Sequence, residues 1–419
     1  MLIPLLSDLP KDQIADARLY AEALVKSPKP KTVPVSAITV VGGAAAGLGV
    51  AVSLARSGSA VTYLEDDASS LERAEFYLSR MLQGDTAPEF LGFSSDVGGV
   101  ATSVAVLDMT TETLAEKHAR LARLSSVMTP SALLITNLSG PYLADVAARL
   151  VAPDRVLGAQ LFFPMAQGHI AELAVHTGTS ADARDRAEIL LRQMAKQPVQ
   201  CGTGLFVSER LQMRMLEAAD TLLMDGATPW EVDEALEAFG YRMGLYEAQD
   251  LIGTDVAYSI RKRTVRPPGR RYVPIADRAV EEGRLGKKAS VGWYRYPGGE
   301  GKVIDPLVED LCREEAHFAG VIPRHITEDE LREHLLLALI NEAAWAINQG
   351  CLAADVDVLS VQALGFPAEH GGVMHFAEIL GAKTIANALQ ALAEEEPITW
   401  EIAPLLLEAA ENGTPLKQG

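Results

Sequence analysis

A short apolar strand, a glycine-rich turn and a helical stretch follow one another near the start of the chain. The strand is the β-branched run at 37–41, the turn is Gly42-Gly43-Ala44-Ala45-Ala46-Gly47, and the helical stretch covers 48–57. A second strand is predicted at 60–64. Later strands are predicted at 103–107, 132–136, 155–162 and 171–176, and helices at 111–125 and 181–196. Such regular alternation predicts a parallel α/β sheet with helices on both faces.

The glycine turn has the spacing of a dinucleotide-binding turn, G-x-G-x-x-G. Gly42 and Gly47 occupy the outer positions, and Ala44 occupies the middle one, where its methyl group would crowd a diphosphate. Glu65 follows the second strand, where a carboxylate would bind the ribose hydroxyls of NAD and repel the 2′-phosphate of NADP. Asp108, which follows the strand 103–107, completes the predicted cofactor-binding set. The sequence therefore predicts a Rossmann-type domain with NAD as its cofactor.

The second half of the chain is predominantly helical and repeats itself. One copy contains Leu216-Glu217-Ala218-Ala219, Gly226, Val232-Asp233, Phe239-Gly240-Tyr241, Gly244 and Asp250-Leu251-Ile252-Gly253. The other contains Asn341-Glu342-Ala343-Ala344, Gly350, Val356-Asp357, Leu364-Gly365-Phe366, Gly372 and Glu378-Ile379-Leu380-Gly381. The offset stays between 124 residues (Gly226 to Gly350) and 128 residues (Gly253 to Gly381). This register predicts a duplicated helical module, packed about a pseudo-twofold axis as a homodimer would be.

These features divide the chain into four predicted segments. Residues 1–34 form a helical arm and a linker, because the prolines of Ser27-Pro28-Lys29-Pro30-Lys31 end an amphipathic stretch. Residues 35–203 form the nucleotide-binding domain. Residues 204–300 form the first helical copy and 301–419 the second, and strands are expected to stop near residue 203.

Composition narrows the possible functions. A net charge of −19 disfavours nucleic acid as a partner, because phosphate binding needs a basic face. There is no apolar run of bilayer length and no basic leader, and three widely spaced cysteines imply neither a disulfide framework nor a metal site. A cytoplasmic protein without a metal ion is therefore expected. Ten Lys or Arg residues stand against three acids from Arg261 to Lys288, as a solvated segment or as a docking surface for a phosphate-bearing ligand.

Several longer segments resemble one family of enzymes, the NAD-dependent 3-hydroxyacyl-CoA dehydrogenases. The resemblance lies in Arg261-Lys262-Arg263, Arg271-Tyr272-Val273-Pro274-Ile275-Ala276-Asp277-Arg278, Gly283-Arg284-Leu285-Gly286-Lys287-Lys288, Gly292-Trp293-Tyr294-Arg295-Tyr296, Leu339-Ile340-Asn341-Glu342 and Gly365-Phe366-Pro367-Ala368-Glu369-His370-Gly371-Gly372-Val373-Met374. It extends over nearly the whole chain and is greatest to the dehydrogenase portion of the multifunctional β-oxidation enzymes. It implies a duplicated all-α C-terminal domain of the 6-phosphogluconate-dehydrogenase-like type, an acyl-CoA substrate, a monomer and a possible hydratase partner.

The resemblance also implies a set of catalytic positions. The family oxidises its substrate with a histidine in the segment H-F-F-N-P, which a glutamate twelve residues later orients. This chain has Gln160-Leu161-Phe162-Phe163-Pro164 and retains Glu172. Ser139 matches the serine of the family's N-T-S turn, and Ser208 replaces the asparagine of its G-F-x-x-N segment. A glutamine amide can orient a substrate oxygen but does not titrate, and His169, as a replacement base, is predicted to point to the opposite face from Glu172.

Four departures, at Ala44, Gln160 and Ser208 and in the absence of lysine between Glu65 and Lys117, therefore fall in the predicted site. They leave three functions open. The first is an oxidoreductase of the family with altered catalytic machinery, in which Glu172 could act as the base if burial raised its pKa. The second is a non-catalytic acyl-CoA or nucleotide-binding partner or sensor. The third is a non-redox reaction of an acyl-CoA that uses Glu172.

Overall fold

The computed structural model describes residues 3–25, 37–82, 84–162, 168–200, 202–263, 266, 268–299 and 301–416. The chain divides into two compact units. One unit, here the nucleotide-binding unit, is Val25–Val207. The other, the helical unit, combines Met1–Leu24 with Ser208–Gly419. The N-terminal arm predicted at 1–34 therefore contributes its helix to the helical unit, and the linker predicted at the end of that arm, from Ser27 to residue 34, lies outside the described residues.

An eight-stranded sheet forms the centre of the nucleotide-binding unit. Its strands are β1 (Ala37–Val41), β2 (Ala60–Leu64), β3 (Leu91–Ser94), β4 (Ala105–Asp108), β5 (Leu133–Thr136), β6 (Val156–Leu161), β7 (Ile170–Ala174) and β8 (Gln197–Gln200). The spatial order is β3-β2-β1-β4-β5-β6-β7-β8, and all neighbours are parallel except β6 and β7. The order 3-2-1-4-5-6 is that of a dinucleotide-binding sheet, so the predicted Rossmann-type fold is confirmed.

Helices cover both faces of this sheet. They are α2 (Ala44–Arg56), α3 (Ala68–Leu82), α4 (Leu114–Val127), α5 (Gly140–Ala147) and α6 (Ala181–Gln193). One apolar core lies between the sheet and α2, α3 and α6, and a second lies between its other face and α4 and α5. The central strands β1, β4 and β5 are almost entirely buried, which explains their continuous rather than alternating apolar sequence. The sequence missed β3 and β8, and the helix predicted from residue 48 begins at Ala44.

The helical unit contains twelve helices in its described residues. These are α1 (Lys11–Leu24), α7 (Val207–Asp225, whose first residue belongs to the other unit), α8 (Pro229–Phe239), α9 (Leu245–Ile252), α10 (Thr254–Arg263), α11 (Ile275–Glu281), α12 (Pro306–Phe318), α13 (Glu328–Asn348), α14 (Ala353–Leu364), α15 (Val373–Leu380), α16 (Ala382–Glu395) and α17 (Pro404–Asn412). The expectation that strands stop near residue 203 is wrong in one place. β9 (Tyr294–Arg295) and β10 (Val303–Ile304) form a small antiparallel pair.

The two copies of the sequence repeat fold into the same series of four helices. The helices α7 to α10 of the first copy correspond in order to α13 to α16 of the second. Buried Asp233 accepts hydrogen bonds from the first peptide N–H groups of α9, those of Tyr246 and Glu247. Its counterpart Asp357 accepts those of Met374 and His375 at the start of α15. Each carboxylate thus caps the N-terminus of the third helix of its own copy, as the macrodipole favours.

A tyrosine hydroxyl completes each of these two caps. In the first copy Tyr294 donates a hydrogen bond to Asp233 at 2.8 Å, and burial raises the pKa of Asp233 to about 6. In the second copy the donor to Asp357 is Tyr20, at 3.0 Å, on the arm helix α1. The arm helix also packs against α14 and the turn Ala368–His370. The N-terminal arm therefore supplies to the second copy what the segment around Tyr294 supplies to the first.

Aromatic rings join the two copies to each other. Tyr241 and Phe366, which occupy matching positions in the repeat, lie 6.0 Å apart between ring centroids. Phe239 of the first copy stacks on His370 of the second at 4.1 Å. His370 is 1% exposed, its Nε2 lies 3.3 Å from the carbonyl oxygen of Phe239, and its Nδ1 has no partner. Contact between equivalent positions is what packing about a pseudo-twofold axis requires.

His370 predicts a pH dependence of stability for the helical unit. Burial lowers its pKa to about 4, so folding favours the neutral ring. Its contribution is therefore complete above the unfolded pKa of about 6.5 and is lost as the pH falls toward 4, amounting to about 3 kcal/mol. In urea titrations followed by tryptophan fluorescence, His370→Phe should lose this acid sensitivity while keeping the ring contact. All four tryptophans lie in this unit. An unchanged slope of stability against pH would contradict the assignment.

The basic segment 261–288 is used internally. Seven of its cations form ion pairs with carboxylates: Arg261, Lys262, Arg270, Arg271, Arg278, Arg284 and Lys288. Arg271 joins Asp225 of the first copy to Glu396 of the second. Arg266 and Lys287 lie over tyrosine rings. Because these nine cations have partners within their own unit, the described part of the segment favours the structural interpretation over a phosphate-docking surface.

Candidate active site

The glycine turn lies between β1 and α2 at the carboxyl edge of the sheet. Gly42 and Gly43 both have positive φ, +55° and +85°, which favours glycine at each position. A Cβ on Gly47 would lie 1.8 Å from the carbonyl oxygen of Gly42, so only glycine allows the helix to pack this closely on the turn. The two outer positions of the fingerprint therefore do what a dinucleotide turn requires of them.

Ala44 stands in the middle position with a φ of +46° and is the first residue of α2. A side chain in this left-handed region is strained by about 1–2 kcal/mol. We expect Ala44→Gly to raise the free energy of unfolding by roughly 0.5–1 kcal/mol, and to lower the Kd for NADH by removing the methyl group. In the matched control Ala46→Gly, within the helix, the free energy of unfolding should instead fall by about 0.5–1 kcal/mol. Destabilisation by Ala44→Gly in thermal melts would contradict the strain.

A cleft of about 450 Å³ opens beside this turn. We call it the turn cleft; its lining is Gly42, Gly43, Ala44, Glu65, Ser70, Arg73, Ala74, Tyr77, Thr110, Thr111 and Glu112. Glu65 accepts a hydrogen bond from the hydroxyl of buried Tyr63 at 2.9 Å, which fixes its carboxylate. Burial and this carboxylate together raise the pKa of Tyr63, so the tyrosine stays a donor. Glu65 therefore lies at the turn, as the sequence predicted.

A second cleft of about 330 Å³ lies beyond Glu65. We call it the Arg120 cleft; its lining is Val41, Leu64, Glu65, Asp66, Ser95, Val97, Glu112, Glu116, Ala119, Arg120, Arg123 and Leu124. Glu65 and Glu112 line both clefts. Glu112 was not among the predicted site residues. It could have been identified as a carboxylate a few residues beyond a central strand, where parallel sheets bind ligands. A glycine turn, an acid at the next strand end and two adjoining clefts fit an extended dinucleotide.

Asp108 occupies a different environment from the clefts. It is completely buried and forms an ion pair with Lys117 at 2.6 Å, and Lys117 is itself 2% exposed. Lys117 also donates to the carbonyl oxygen of Thr110, which accepts a second hydrogen bond from the amide of Asn137. Burial lowers the pKa of Lys117, and Asp108 opposes that shift. The pair thus ties the loop after β4 to the loop after β5.

The loop after β5 places Ser139 next to the backbone of Phe206. Ser139 is 3% exposed, and its hydroxyl accepts a hydrogen bond from the peptide N–H of Phe206 at 3.1 Å. Close packing at this edge also depends on Gly158, because a Cβ there would lie 1.9 Å from the carbonyl oxygen of Leu138. Ser139 is therefore held beside β6, the strand that carries Gln160.

Gln160 and Glu172 are directly opposite each other on the antiparallel strands β6 and β7. Directly paired residues project from the same face of a sheet, so the two side chains are neighbours. Gln160 is half-buried, and Glu172 is 1% exposed. The carboxylate of Glu172 accepts a hydrogen bond from the peptide N–H of Val207. His169 is exposed just before β7.

Ser208 is the last of the predicted site residues. Ser208 is 4% exposed and is the first residue of the chain's return to the helical unit. Phe163 and Pro164, which follow Gln160 in the sequence motif, lie outside the described residues. Among the described residues no group of three or more His, Cys, Asp or Glu side chains is placed to hold a metal ion. No helix in the described ranges is both long enough and apolar enough to cross a membrane.

Family models match both parts of the chain. Residues 37–204 match the model described as 3-hydroxyacyl-CoA dehydrogenase, NAD binding domain, and residues 206–296 match the C-terminal domain model of the same family. The chain belongs to the 3-hydroxyacyl-CoA dehydrogenase family. The C-terminal domain match covers the first helical copy, so the second copy is recognised here by its repeated Asp cap and register rather than by that model.

Curated relatives within this dehydrogenase family are longer than this chain. A peroxisomal bifunctional enzyme of Danio rerio is 33% identical over 417 residues, which cover 92% of this chain and 57% of the relative. A fatty acid oxidation complex subunit alpha of Idiomarina loihiensis is 30% identical over 77% of this chain and 46% of its own length. The chain thus spans a little over half of the first relative and less than half of the second.

Solved structures of the dehydrogenase family share the fold. The 3-hydroxybutyryl-CoA dehydrogenase of Escherichia coli has a TM-score of 0.73 and 22% identity, covering 91% of this chain and 99% of that chain. The dehydrogenase part of multifunctional enzyme 1 from Caenorhabditis elegans has a TM-score of 0.62 and 21% identity, with coverage of 95% and 97%. These likenesses confirm the predicted fold class over almost the whole chain.

Proposed function

We propose that this chain is an NAD-dependent oxidoreductase of the 3-hydroxyacyl-CoA dehydrogenase class in fatty acid oxidation, whose general-base position holds an amide. The observation that carries the proposal is the cross-strand pair of Gln160 and Glu172, near the carboxyl end of β6 in a dinucleotide-binding unit. A base at position 160 would have its charged form stabilised by the neighbouring carboxylate. The orienting group is thus present, and the group that it would orient cannot titrate.

The residues that would hold NAD are those around the turn cleft. Gly42, Ala44 and Gly47 would pack on the diphosphate, with the N-terminus of α2 favouring its negative charge. Glu65 would bind the ribose hydroxyls, and Glu112 would lie against the same half of the ligand. Asp108 would support the cofactor indirectly, through its contacts with Thr110 and Lys117. When bound, NAD would supply the hydride acceptor.

The chain's own catalytic side chains have narrower roles. The Gln160 amide can donate a hydrogen bond to a substrate oxygen and thereby orient it, but it cannot remove a proton from that oxygen. The Ser139 hydroxyl is positioned beside β6 to donate a hydrogen bond as well. We propose Ser208 as the matching contact from the start of α7. We propose that these side chains still orient the substrate, while the transfer of its hydroxyl proton loses its usual acceptor.

A non-catalytic role as an acyl-CoA or nucleotide-binding partner or sensor is the second candidate. The hydrogen bond from Val207 to Glu172 favours it, because this carboxylate then serves to hold the start of a helix. The same contact and the burial of Glu172 weigh against the third candidate, a non-redox reaction with Glu172 as the base. As partners we propose an acyl-CoA and, for the preceding hydration step, a hydratase.

We further propose a monomer, because the duplicated helical copies already pack against each other through matching residues. We propose a reducing, cytoplasmic location, since the two described cysteines, Cys312 and Cys351, are free and buried. Size-exclusion chromatography with light scattering tests the oligomeric state directly. A stable dimer would contradict the proposal that the repeat replaces a second subunit.

NADH binding tests the functional proposal. We expect titration of the native chain with NADH, followed by NADH fluorescence, to show saturable binding. Glu65→Ala should weaken NADH binding, because the two ribose hydroxyls lose their acceptor, and should narrow the preference for NADH over NADPH. The surface variant Glu188→Ala, on α6, is the control. Absence of NADH binding by the native, folded chain would reject the oxidoreductase and leave the non-catalytic candidate.

A further inference from the structure

Arg120, on α4, is held in an unusual way at the Arg120 cleft. Its two terminal nitrogens donate to the two oxygens of Asp66 at 2.9 and 2.7 Å. Its Nε and one terminal nitrogen donate to the two oxygens of Glu112 at 2.7 and 2.9 Å. Four of the five N–H groups of the guanidinium are therefore bound in its own plane. The group is 20% exposed, so it is a fixed wall of the cleft rather than a mobile surface charge.

Because most N–H donors of Arg120 are already hydrogen-bonded to carboxylates, they limit which ligand groups the guanidinium can still bind. A guanidinium whose edges are occupied by two carboxylates has little left to offer a phosphate. Its two flat faces remain, and a flat cation stacks well on a planar conjugated ring. The hydrogen bonds from Arg120 keep the pKa of Asp66 below its usual range, so this ion pair stays charged at neutral pH.

The charge and the lining of the Arg120 cleft also favour an uncharged planar ring. Its rim carries four carboxylates, Glu65, Asp66, Glu112 and Glu116, against the two guanidinium groups of Arg120 and Arg123. An anionic ligand group would be repelled by this excess. The rest of the lining is largely apolar and includes Leu64, Val97 and Leu124. The cleft therefore fits an uncharged flat ring whose attached sugar can reach Glu65.

We propose that the face of the Arg120 guanidinium is the stacking platform for the adenine ring of the dinucleotide, which enters the Arg120 cleft while its ribose lies on Glu65. This inference rests on the proposed NAD binding and adds the residue that selects the adenine half. Asp66 and Glu112 act as positioning residues, since their four hydrogen bonds fix the guanidinium in the wall of the cleft. The turn cleft on the other side of Glu65 then takes the diphosphate, next to the glycine turn.

The test uses ligands that contain or lack the adenine ring. We expect Arg120→Ala to raise the Kd for NADH and for AMP about tenfold and to leave the Kd for reduced nicotinamide mononucleotide within twofold of the native value. Arg120→Lys keeps the charge without the flat face and should behave like Arg120→Ala. The control is Arg149→Ala, an exposed arginine paired with Asp145 on the same unit, which should change none of the three values.

Each other outcome overturns a specific part of the inference. Unchanged AMP binding in Arg120→Ala would remove the stacking role, and full recovery by Arg120→Lys would show that charge rather than the flat face matters. If Arg73→Ala, in the turn cleft, weakens AMP and Arg120→Ala does not, adenine occupies the other cleft. If the native chain binds neither NADH nor AMP, the proposed function itself fails. Retained mononucleotide binding and an unchanged melting temperature exclude misfolding as the cause.

Discussion

Gln160→His is expected to raise kcat/KM for the NADH-dependent reduction of acetoacetyl-CoA by a factor of about 10² to 10⁴. The substitution places a titratable ring directly across the strand pair from Glu172. The carboxylate favours the charged imidazole, which can then give a proton to the substrate oxygen in this direction and accept it in the other. Steady-state assays at neutral pH, with the native chain measured in parallel, give the ratio.

Two control variants separate proton transfer from simple repair of packing. Gln160→Asn should leave the rate near that of the native chain, because the side chain remains an amide. Adding Glu172→Gln to Gln160→His should remove most of the gain, since the histidine loses its orienting carboxylate. A gain that survives in the double variant would show that Glu172 does not orient the residue at 160. No gain with intact NADH binding would place the defect elsewhere, at Ser208 or in substrate recognition.

Lys117→Met is expected to destabilise the nucleotide-binding unit by about 3–5 kcal/mol. Both partners of the Lys117–Asp108 pair are almost completely buried, so the variant leaves an uncompensated carboxylate under the sheet edge. It also removes the donor to Thr110, which links the loops after β4 and β5. Urea titration followed by circular dichroism measures the loss, and tryptophan fluorescence serves as an internal reference because Val25–Val207 contains no tryptophan.

The double variant Lys117→Met with Asp108→Leu is the control for this ion pair. Replacing both charges by apolar groups of similar size avoids the unpaired carboxylate, so most of the lost stability should return. A loss below about 1 kcal/mol in Lys117→Met, or no recovery in the double variant, would show that the pair contributes as an exposed one does.

Local sequence signals were sufficient for the architecture. β1, the glycine turn, α2 and β2 follow one another without interruption, so a single segment of the sequence determines both the strand pairing and the position of Glu65. The repeat was visible because Asp233 and Asp357 must each cap a helix that begins at a fixed distance along the chain. The start of α2 was placed too late because three alanines and two glycines contain no capping side chain.

The parts that sequence reasoning missed depend on contacts between distant residues. Tyr20 and Asp357 are 337 positions apart, so no periodicity could show that the arm completes the second copy. The hydrogen bonds that hold Arg120 need Asp66 from the loop after β2 and Glu112 from the loop after β4, and neither residue alone marks a site. The cations of segment 261–288 were visible as a cluster, but several of their carboxylate partners, among them Glu217, Asp225 and Glu396, are distant in the sequence. Burial and pairing, rather than charge count, decide what such residues do.

The most direct test of an amide in the place of the base is the pH dependence of kcat/KM for the native chain, measured between about pH 5.5 and 8.5 with acetoacetyl-CoA and saturating NADH. A glutamine does not titrate in this range, so the account predicts a rate near background that is flat with pH. For Gln160→His, measured in parallel, kcat/KM should change with pH around the pKa of a histidine, near 6.5. A titrating limb of comparable rate in the native chain would contradict the account, because some other group would then be transferring the proton.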